Sequence, residues 1–206
     1  MPRATKVRPT LSPVNLVSAS ESPPPVCAWA IGKPQPAIEA LANQEQIVGD
    51  VLDVGCGLGE NALLLASRGH MVWGIDWDQT LIQQARQQAQ SQALEATFVV
   101  GNALELDVLG EGFHTVIDSG LLHCLNDKER KRYLSGLAHV MFPGSRLFIL
   151  CVSENEALSA ADVYPLSRKE LEKYFQSGWQ IEKIEASLYC LCEQMASAWL
   201  VSVLKL

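Results

Sequence analysis

The 206-residue sequence has no apolar run approaching the roughly 20 residues that cross a bilayer. Its start also lacks an uninterrupted apolar core of the kind secretory leaders carry, so neither a membrane span nor such a leader is expected. Basic surface is missing too. A formal net charge of -7 leaves no broad cationic face on which a phosphate backbone would settle, so neither nucleic acid nor a membrane is the expected partner. No Gly-x-x-x-x-Gly-Lys-Ser/Thr run occurs, which removes a triphosphate-cradling loop. A disulfide framework is not indicated either. Cys27, Cys56, Cys124, Cys151, Cys190 and Cys192 are scattered through a chain long enough to fold without covalent staples, so reduced thiols in the cytoplasm are the expectation. Cys190-Leu191-Cys192 has no second pair nearby, and no metal site is expected.

Proline is scarce wherever the chain is to be regular. Eight of the ten prolines fall within the first 36 residues, which marks a flexible leader over residues 1–25 and a single domain over 26–206. Arg3, Lys6 and Arg8, with no acid before residue 20, leave organellar targeting open. Pro2, Pro9 and Pro13 would break an amphipathic helix there and favour a disordered tail. No motif repeats with a period of 20 to 50 residues.

What is present is organised around Val51-Leu52-Asp53-Val54-Gly55-Cys56-Gly57-Leu58-Gly59, an apolar run that empties into closely spaced glycines and then into helix-forming sequence. This pattern predicts a buried parallel strand, a tight turn, and a helix whose free N–H groups face a ligand. Further strands are expected at 72–75, 97–100, 114–117 and 146–152, with helices between them; Leu104, Leu106 and Leu109 are assigned to a loop. Asp78 is expected to cap one helix, and Asn126 with Glu129 another that Pro143-Gly144 ends. Ser167 with Glu170 caps a later helix, and 179–184 and 198–206 form a final antiparallel pair. The fold class is therefore α/β, a Rossmann-like three-layer sandwich with a seven-stranded, mostly parallel sheet and an antiparallel last strand.

The turn is not a dinucleotide fingerprint. Glu60 stands where the third glycine of Gly-x-Gly-x-x-Gly is required, so the expected ligand is nucleoside-like without a pyrophosphate. Asp53 can accept from a cationic or hydrogen-bonding edge, and Asp76 at a strand end can take both hydroxyls of a ribose. Trp77 can flank a purine, and Asn102 offers a carbonyl and an amide to an adenine edge. Each acid, taken alone, reads equally well as a cap or a turn residue.

At these residues the chain resembles the class I S-adenosylmethionine-dependent methyltransferases, through 51–61, Gly74-Ile75-Asp76 and Gly101-Asn102-Ala103, with the likeness running over about residues 29 to 206. The resemblance implies S-adenosyl-L-methionine as the methyl donor, bound across the strand ends, and S-adenosylhomocysteine as product. It places Gly55 and Gly57 at the methionine moiety, Asp76 at the ribose, and Asn102 with Ala103 at the adenine. Many members carry an acid where this chain has Asn102. A narrower likeness rests on Trp29-Ala30-Ile31-Gly32-Lys33-Pro34-Gln35-Pro36, Asp118-Ser119-Gly120-Leu121-Leu122-His123 and Pro143-Gly144-Ser145-Arg146-Leu147-Phe148. These are similar to the small enzymes that methylate thiols, halides or hydroxylated heterocycles and to thiopurine methyltransferase-like enzymes, in which an N-terminal segment closes over the donor.

That likeness implies transfer to sulfur or oxygen of a small-molecule acceptor. Trp29 and Lys33 would touch the donor, although Trp29 can equally just pack the segment down. Asp118 would line the methionine side. Ser119, Leu122, Cys151, Ser153 and Tyr164 would line the acceptor pocket, and Tyr164 can also be simple loop packing. His123 is the candidate general base, with a local structural role as its alternative. A protein or nucleic-acid methyltransferase, or a non-enzymatic donor-binding protein, stands as the alternative function. A monomer is the working expectation.

Overall fold

The computed structural model describes residues 29–156, 163–192 and 194–206. The leader expected over 1–25 and Cys27 lie outside the described residues. In chain order come α1 (Pro36–Asn43), β1 (Val51–Val54), α2 (Glu60–Ser67), β2 (Val72–Asp76), α3 (Gln79–Ser91), β3 (Ala96–Val100) and β4 (Phe113–Ser119). They are followed by α4 (Asp127–Val140), β5 (Met141–Val152), α5 (Arg168–Tyr174), β6 (Trp179–Cys190) and β7 (Met195–Lys205). The sheet order is β3-β2-β1-β4-β5-β7-β6. Strands β3 to β5 pair in parallel, and β7 runs antiparallel between β5 and β6, as the missing crossover helix between the last two strands requires.

Alternation along each strand builds two apolar layers. On β5, Leu147, Ile149 and Cys151 face α4 and α5, whereas Phe148, Leu150 and Val152 face the layer of α1, α2 and α3. All six are fully buried, which explains why this strand reads as a continuous apolar run. On α4, Arg130, Tyr133, Leu134, Leu137 and Val140 recur at helical spacing and are buried. The caps fall where the sequence places them. Asp78 accepts from the Thr80 and Leu81 amides, and Asn126 with Glu129 and Ser167 with Glu170 both form reciprocal capping boxes.

Two boundaries differ from the sequence reading. Helix α4 ends at Val140 and passes directly into β5, so Pro143-Gly144 does not terminate it. Instead the pairing jumps from Phe113–Met141 to Thr115–Arg146, and the extra residues of β5 bulge out, fastened by the Ser145 hydroxyl donating to the Phe113 carbonyl at 2.8 Å. Residues 103–109, expected as a loop, form 3-10 turns that bury Leu106 and Leu109 beneath α4.

The strand order reverses at β1. Chain progresses outward through β2 and β3 on one side and β4 and β5 on the other, leaving a crevice beyond the C-terminal ends of β1 and β4. In open α/β sheets that is where ligands bind.

Candidate active site

The glycine turn opens this crevice. Gly55, Gly57 and Gly59 all have positive φ, at 70°, 55° and 82°. A Cβ on Gly59 would come within 2.7 Å of the Phe98 ring, so α2 can lie against β3 only with glycine there. A Cβ on Gly57 would meet nothing within 4 Å, and its backbone therefore fronts open space. The Asp76 carboxylate braces the turn, accepting from the Gly57 amide at 2.9 Å on one oxygen and from the Asp78 amide at 2.9 Å on the other. Each oxygen retains a lone pair for a further donor, such as one of two vicinal hydroxyls.

Behind the turn lies a group of buried carboxyls. Asp53 is 1% exposed, and neither of its oxygens makes a well-formed hydrogen bond. Burial first, then the charges of Glu60 and Asp118, raise its pKa from 3.8 to about 8, with the Ala62 amide offsetting part of the rise. Glu60 is also raised, chiefly by burial, and its Oε1 lacks a partner. Asp118 is fully buried. Its Oδ1 accepts from the Leu121 and Leu122 amides at 2.9 and 3.2 Å, while burial raises the carboxyl to about 6. Its Oδ2 lies near the Tyr133 hydroxyl without a well-aligned bond to it.

Ser119 Oγ, Ser153 Oγ and His123 Nε2 are likewise buried without partners. Folded proteins rarely leave so many buried polar atoms unmatched, and here they gather at the ends of β1, β4 and β5. Three close, desolvated carboxyls fit a ligand that carries positive charge.

His123 follows β4 in a single 3-10 turn, Leu122–Cys124, and is fully buried. Its Nδ1 accepts from the Val152 amide at 3.2 Å, which puts the ring proton on Nε2. Burial, and secondly the Arg130 guanidinium, lower its pKa to about 3. The expected role of general base near neutral pH finds little support in these surroundings. The one lone pair that could take a proton is engaged, and the charged form is disfavoured from two sides.

The N-terminal segment is held down by Gln35. Its side chain donates to the Cys190 carbonyl at 2.8 Å and accepts from the Cys190 amide at 2.9 Å, while its own amide donates to Asn61 Oδ1 at 2.9 Å. Trp29 is thereby brought onto His123 and Tyr189, with ring centroids 5.4 and 5.8 Å away; His123 and Tyr189 are themselves 5.5 Å apart, edge to face. The Tyr189 hydroxyl donates to the Ser119 carbonyl at 3.1 Å, tying the last strand pair to the end of β4.

Residues 51–144 match a family model described as a methyltransferase domain. Over 166 residues the chain is 35% identical to the 2-heptyl-1-hydroxyquinolin-4(1H)-one methyltransferase of Mycobacteroides abscessus, covering 78% of this chain and 72% of that protein. The chain belongs to the class I S-adenosylmethionine-dependent methyltransferases. Among solved structures, it is similar to the protein described in "Conversion of a Disulfide Bond into a Thioacetal Group during Echinomycin Biosynthesis". That match has 34% identity and a TM-score of 0.78, over 86% of this chain and 84% of that one. The magnesium protoporphyrin IX methyltransferase of Synechocystis with bound donor shares the fold, with a TM-score of 0.66 at 21% identity, over 82% of this chain and 76% of that one.

In this methyltransferase the remaining expected residues are spread between crevice and core. Trp77 is about half exposed at the end of β2, and Lys33 is exposed. Asn102 is exposed, but its Oδ1 accepts from the Leu104 amide at 2.9 Å and caps the following turn, so its amide group is what it can offer an adenine. Ala103 beside it is half-buried.

Leu122 and Cys151, expected at the acceptor pocket, are packed into the protein interior. Both are fully buried in the layer beneath α4, because inward-facing positions of β5 and of the turn after β4 complete that core. Asp118, expected at the methionine side, is buried and structurally engaged through Oδ1. Tyr164 is 45% exposed; its backbone, not its ring, serves the site, with the amide donating to the His123 carbonyl at 2.7 Å and the carbonyl accepting from Arg130 at 2.6 Å.

Sequence reasoning missed Gln35, Glu60, Arg130, Tyr133 and Tyr189 as parts of this region. A signal existed for two of them: Arg130 and Tyr133 sit three apart on the face of α4 that the leucines mark as buried. Among the described residues no cluster of three or more His, Cys, Asp or Glu side chains is arranged to hold a metal ion, and no helix is long and apolar enough to cross a membrane.

Proposed function

We propose that this protein transfers a methyl group from S-adenosyl-L-methionine to a sulfur or oxygen atom of a small molecule. The observation that carries the reading is the desolvated group Asp53, Glu60 and Asp118 behind a glycine turn at the sheet's switch point. It suits a ligand bearing an ammonium and a sulfonium. When bound, that donor supplies an electrophilic methyl carbon on a positively charged sulfur. Asp53 and Glu60 would hold its ammonium side, Asp76 its ribose hydroxyls, and Trp77 with the Asn102 amide its adenine. The aromatic group Trp29, His123 and Tyr189 would shield the reacting atoms from water.

A small acceptor is supported by two relatives above 30% identity, one named for a hydroxyquinolone and one described in work on converting a disulfide bond into a thioacetal group during echinomycin biosynthesis. The hydroxyl of a 1-hydroxyquinolone is acidic and a disulfide sulfur carries no proton, so neither nucleophile calls for a strong base, in keeping with a histidine whose charged form is disfavoured.

The reading is tested by measuring S-adenosylhomocysteine formation by the purified protein against iodide, sulfide, aryl thiols and hydroxylated heterocycles. A strong response from one class names the nucleophile. Intact donor binding with silence across the panel would transfer the assignment to a larger acceptor, such as protein or nucleic acid, or to a donor-binding protein without turnover.

A further inference from the structure

The crevice has two electrically distinct sides. On the side of β1, β2 and α2 stand the carboxyls of Asp53, Asp76 and Glu60. On the side of α4 and the end of β5 stand an uncharged imidazole and a fixed guanidinium. Arg130 is 4% exposed and is locked in place by its bonds to the Leu122 carbonyl at 3.0 Å and the Tyr164 carbonyl at 2.6 Å. Those bonds flank His123, since Leu122 precedes it in the chain and Tyr164 donates to its carbonyl. The Val152 amide fixes the imidazole tautomer, and Nε2–H is left as a buried donor without an acceptor. Such a donor is costly unless something accepts from it.

We propose that the acceptor binds as an anion, and that His123 Nε2–H donates a hydrogen bond to the nucleophilic atom. The substrates are accordingly acidic thiols or acidic hydroxyl-bearing heterocycles ionised near neutral pH, rather than alcohols or amines. This rests on the methyl-transfer reading above. A lone pair of the anionic sulfur or oxygen forms the bond to the methyl carbon while the carbon–sulfonium bond breaks toward sulfur. The products are the methylated acceptor and S-adenosylhomocysteine. The negative charge of the nucleophile and the positive charge of the sulfonium disappear together, so no proton has to be removed in the step.

The other titratable groups of this neighbourhood are Tyr189 from β6, Cys151 from β5, Cys124 in the same turn and Asp118 at the end of β4. Burial pushes Tyr189 and Cys151 upward, which keeps both neutral. Asp118, with one unpartnered oxygen, is the rival as a base. Trp29 packs on the imidazole, and its chain turns at Gly32, where φ is +70° and an added Cβ would touch nothing within 4 Å.

The test uses the full chain at saturating donor with a series of aryl thiols and hydroxylated heteroaromatics of graded acidity, plus a matched amine and alcohol. The expected result is a kcat/KM that rises with pH and levels off at each acceptor's own pKa, with no turnover of the amine or alcohol. His123→Ala should lose about a hundredfold in kcat without changing those profiles, and His123→Gln, which restores an N–H donor but cannot act as a base, should recover most of that loss. Donor binding to each variant, read by calorimetry, checks that the site is intact. If His123→Ala fails to fold, the parent's acceptor series and His123→Gln still decide.

An inflection shared by all acceptors that vanishes in His123→Gln would make the histidine a base and overturn the proposal. A shared inflection near 6 that vanishes in Asp118→Asn would assign the proton to that carboxyl, with the same consequence. Methylation of the alcohol at a comparable rate also refutes it while transfer to sulfur or oxygen survives, whereas comparable methylation of the amine refutes both. Silence from every acceptor removes both.

Discussion

Replacing Asp53 by asparagine should stabilise the ligand-free protein increasingly as pH rises. An aspartate in the unfolded chain ionises near 3.8, whereas the buried carboxyl holds its proton up to about 8. Between those values the native state binds a proton that the unfolded state does not, so this residue's contribution to stability falls as pH rises, by roughly 1.4 kcal/mol per pH unit, and is flat above the upper value. At pH 7 the accumulated loss is roughly 4 kcal/mol, and asparagine, which has nothing to ionise, escapes it. The carboxamide's own unmatched groups lower the absolute gain, so the slope is the sharper quantity. Urea unfolding of both forms at several pH values from about 5 to 8 measures it. A stability difference that stays constant across that range would show that Asp53 is ionised in the native state, and the account of the cluster would fail. The donor side moves oppositely: Asp53→Asn should weaken S-adenosylmethionine binding by about ten- to a hundredfold, the loss of a charge-assisted contact. Binding to the parent should release a fraction of a proton, detectable as a buffer-dependent calorimetric enthalpy.

Gln35→Ala removes both bonds to the Cys190 backbone and leaves that amide and carbonyl unmatched. It should cost about 2 kcal/mol and speed amide exchange over 29–35 far more than in α4, with poorer binding of donor and acceptor as the kinetic sign. Uniform loss of protection would instead make Gln35 part of the general core. Gly120→Ala should be among the most damaging single changes, because φ is +103° and the new Cβ would lie 2.4 Å from the Tyr189 hydroxyl. A loss of about 3 kcal/mol is expected, read from the midpoint of urea unfolding, and Tyr189→Phe in the same chain should recover part of it. An unchanged midpoint would show that β6 is not braced against the end of β4.

The sheet was legible because its signals are local. Four-residue apolar runs, a capping residue three before a glutamate and the lack of a helix between 184 and 198 each depend on neighbours in the chain. The glycine turn was legible for the same reason. The Pro143-Gly144 pair misled because its ordinary meaning is a helix stop, and only the strand beside it shows that the residues form a bulge. The site's second half was not legible. Gln35 meets Cys190 across 155 positions and Tyr189 meets Ser119 across 70, and nothing in either local sequence announces the contact. His123 shows how residue type alone falls short. The sequence supplies an imidazole, but burial, the Val152 amide and Arg130 decide its protonation, and all three come from elsewhere in the fold.

The same separation explains how one crevice can treat its two ligands differently. Carboxyls that are desolvated and crowded destabilise the empty protein, and a cation relieves exactly the groups that cause the penalty. A donor with two positive centres therefore gains from a cost already present in the fold. In the proposed site the sulfonium charge is gone once methyl transfer has occurred, so the product would keep only its ammonium in the cluster and would be held less firmly than the donor on that account. Across the crevice, the histidine's unmatched N–H and the guanidinium beside it favour the acceptor while it is negative and lose that preference when it becomes a neutral methylated product. Both charge changes weaken binding in the direction of turnover. Asp53, assigned to the ammonium that both ligands carry, should matter alike to S-adenosylmethionine and S-adenosylhomocysteine, so that the weaker hold on the product comes from the rest of the cluster. Calorimetric titration of parent and Asp53→Asn with each ligand measures this, and a loss confined to S-adenosylmethionine would show that Asp53 reads the sulfonium instead.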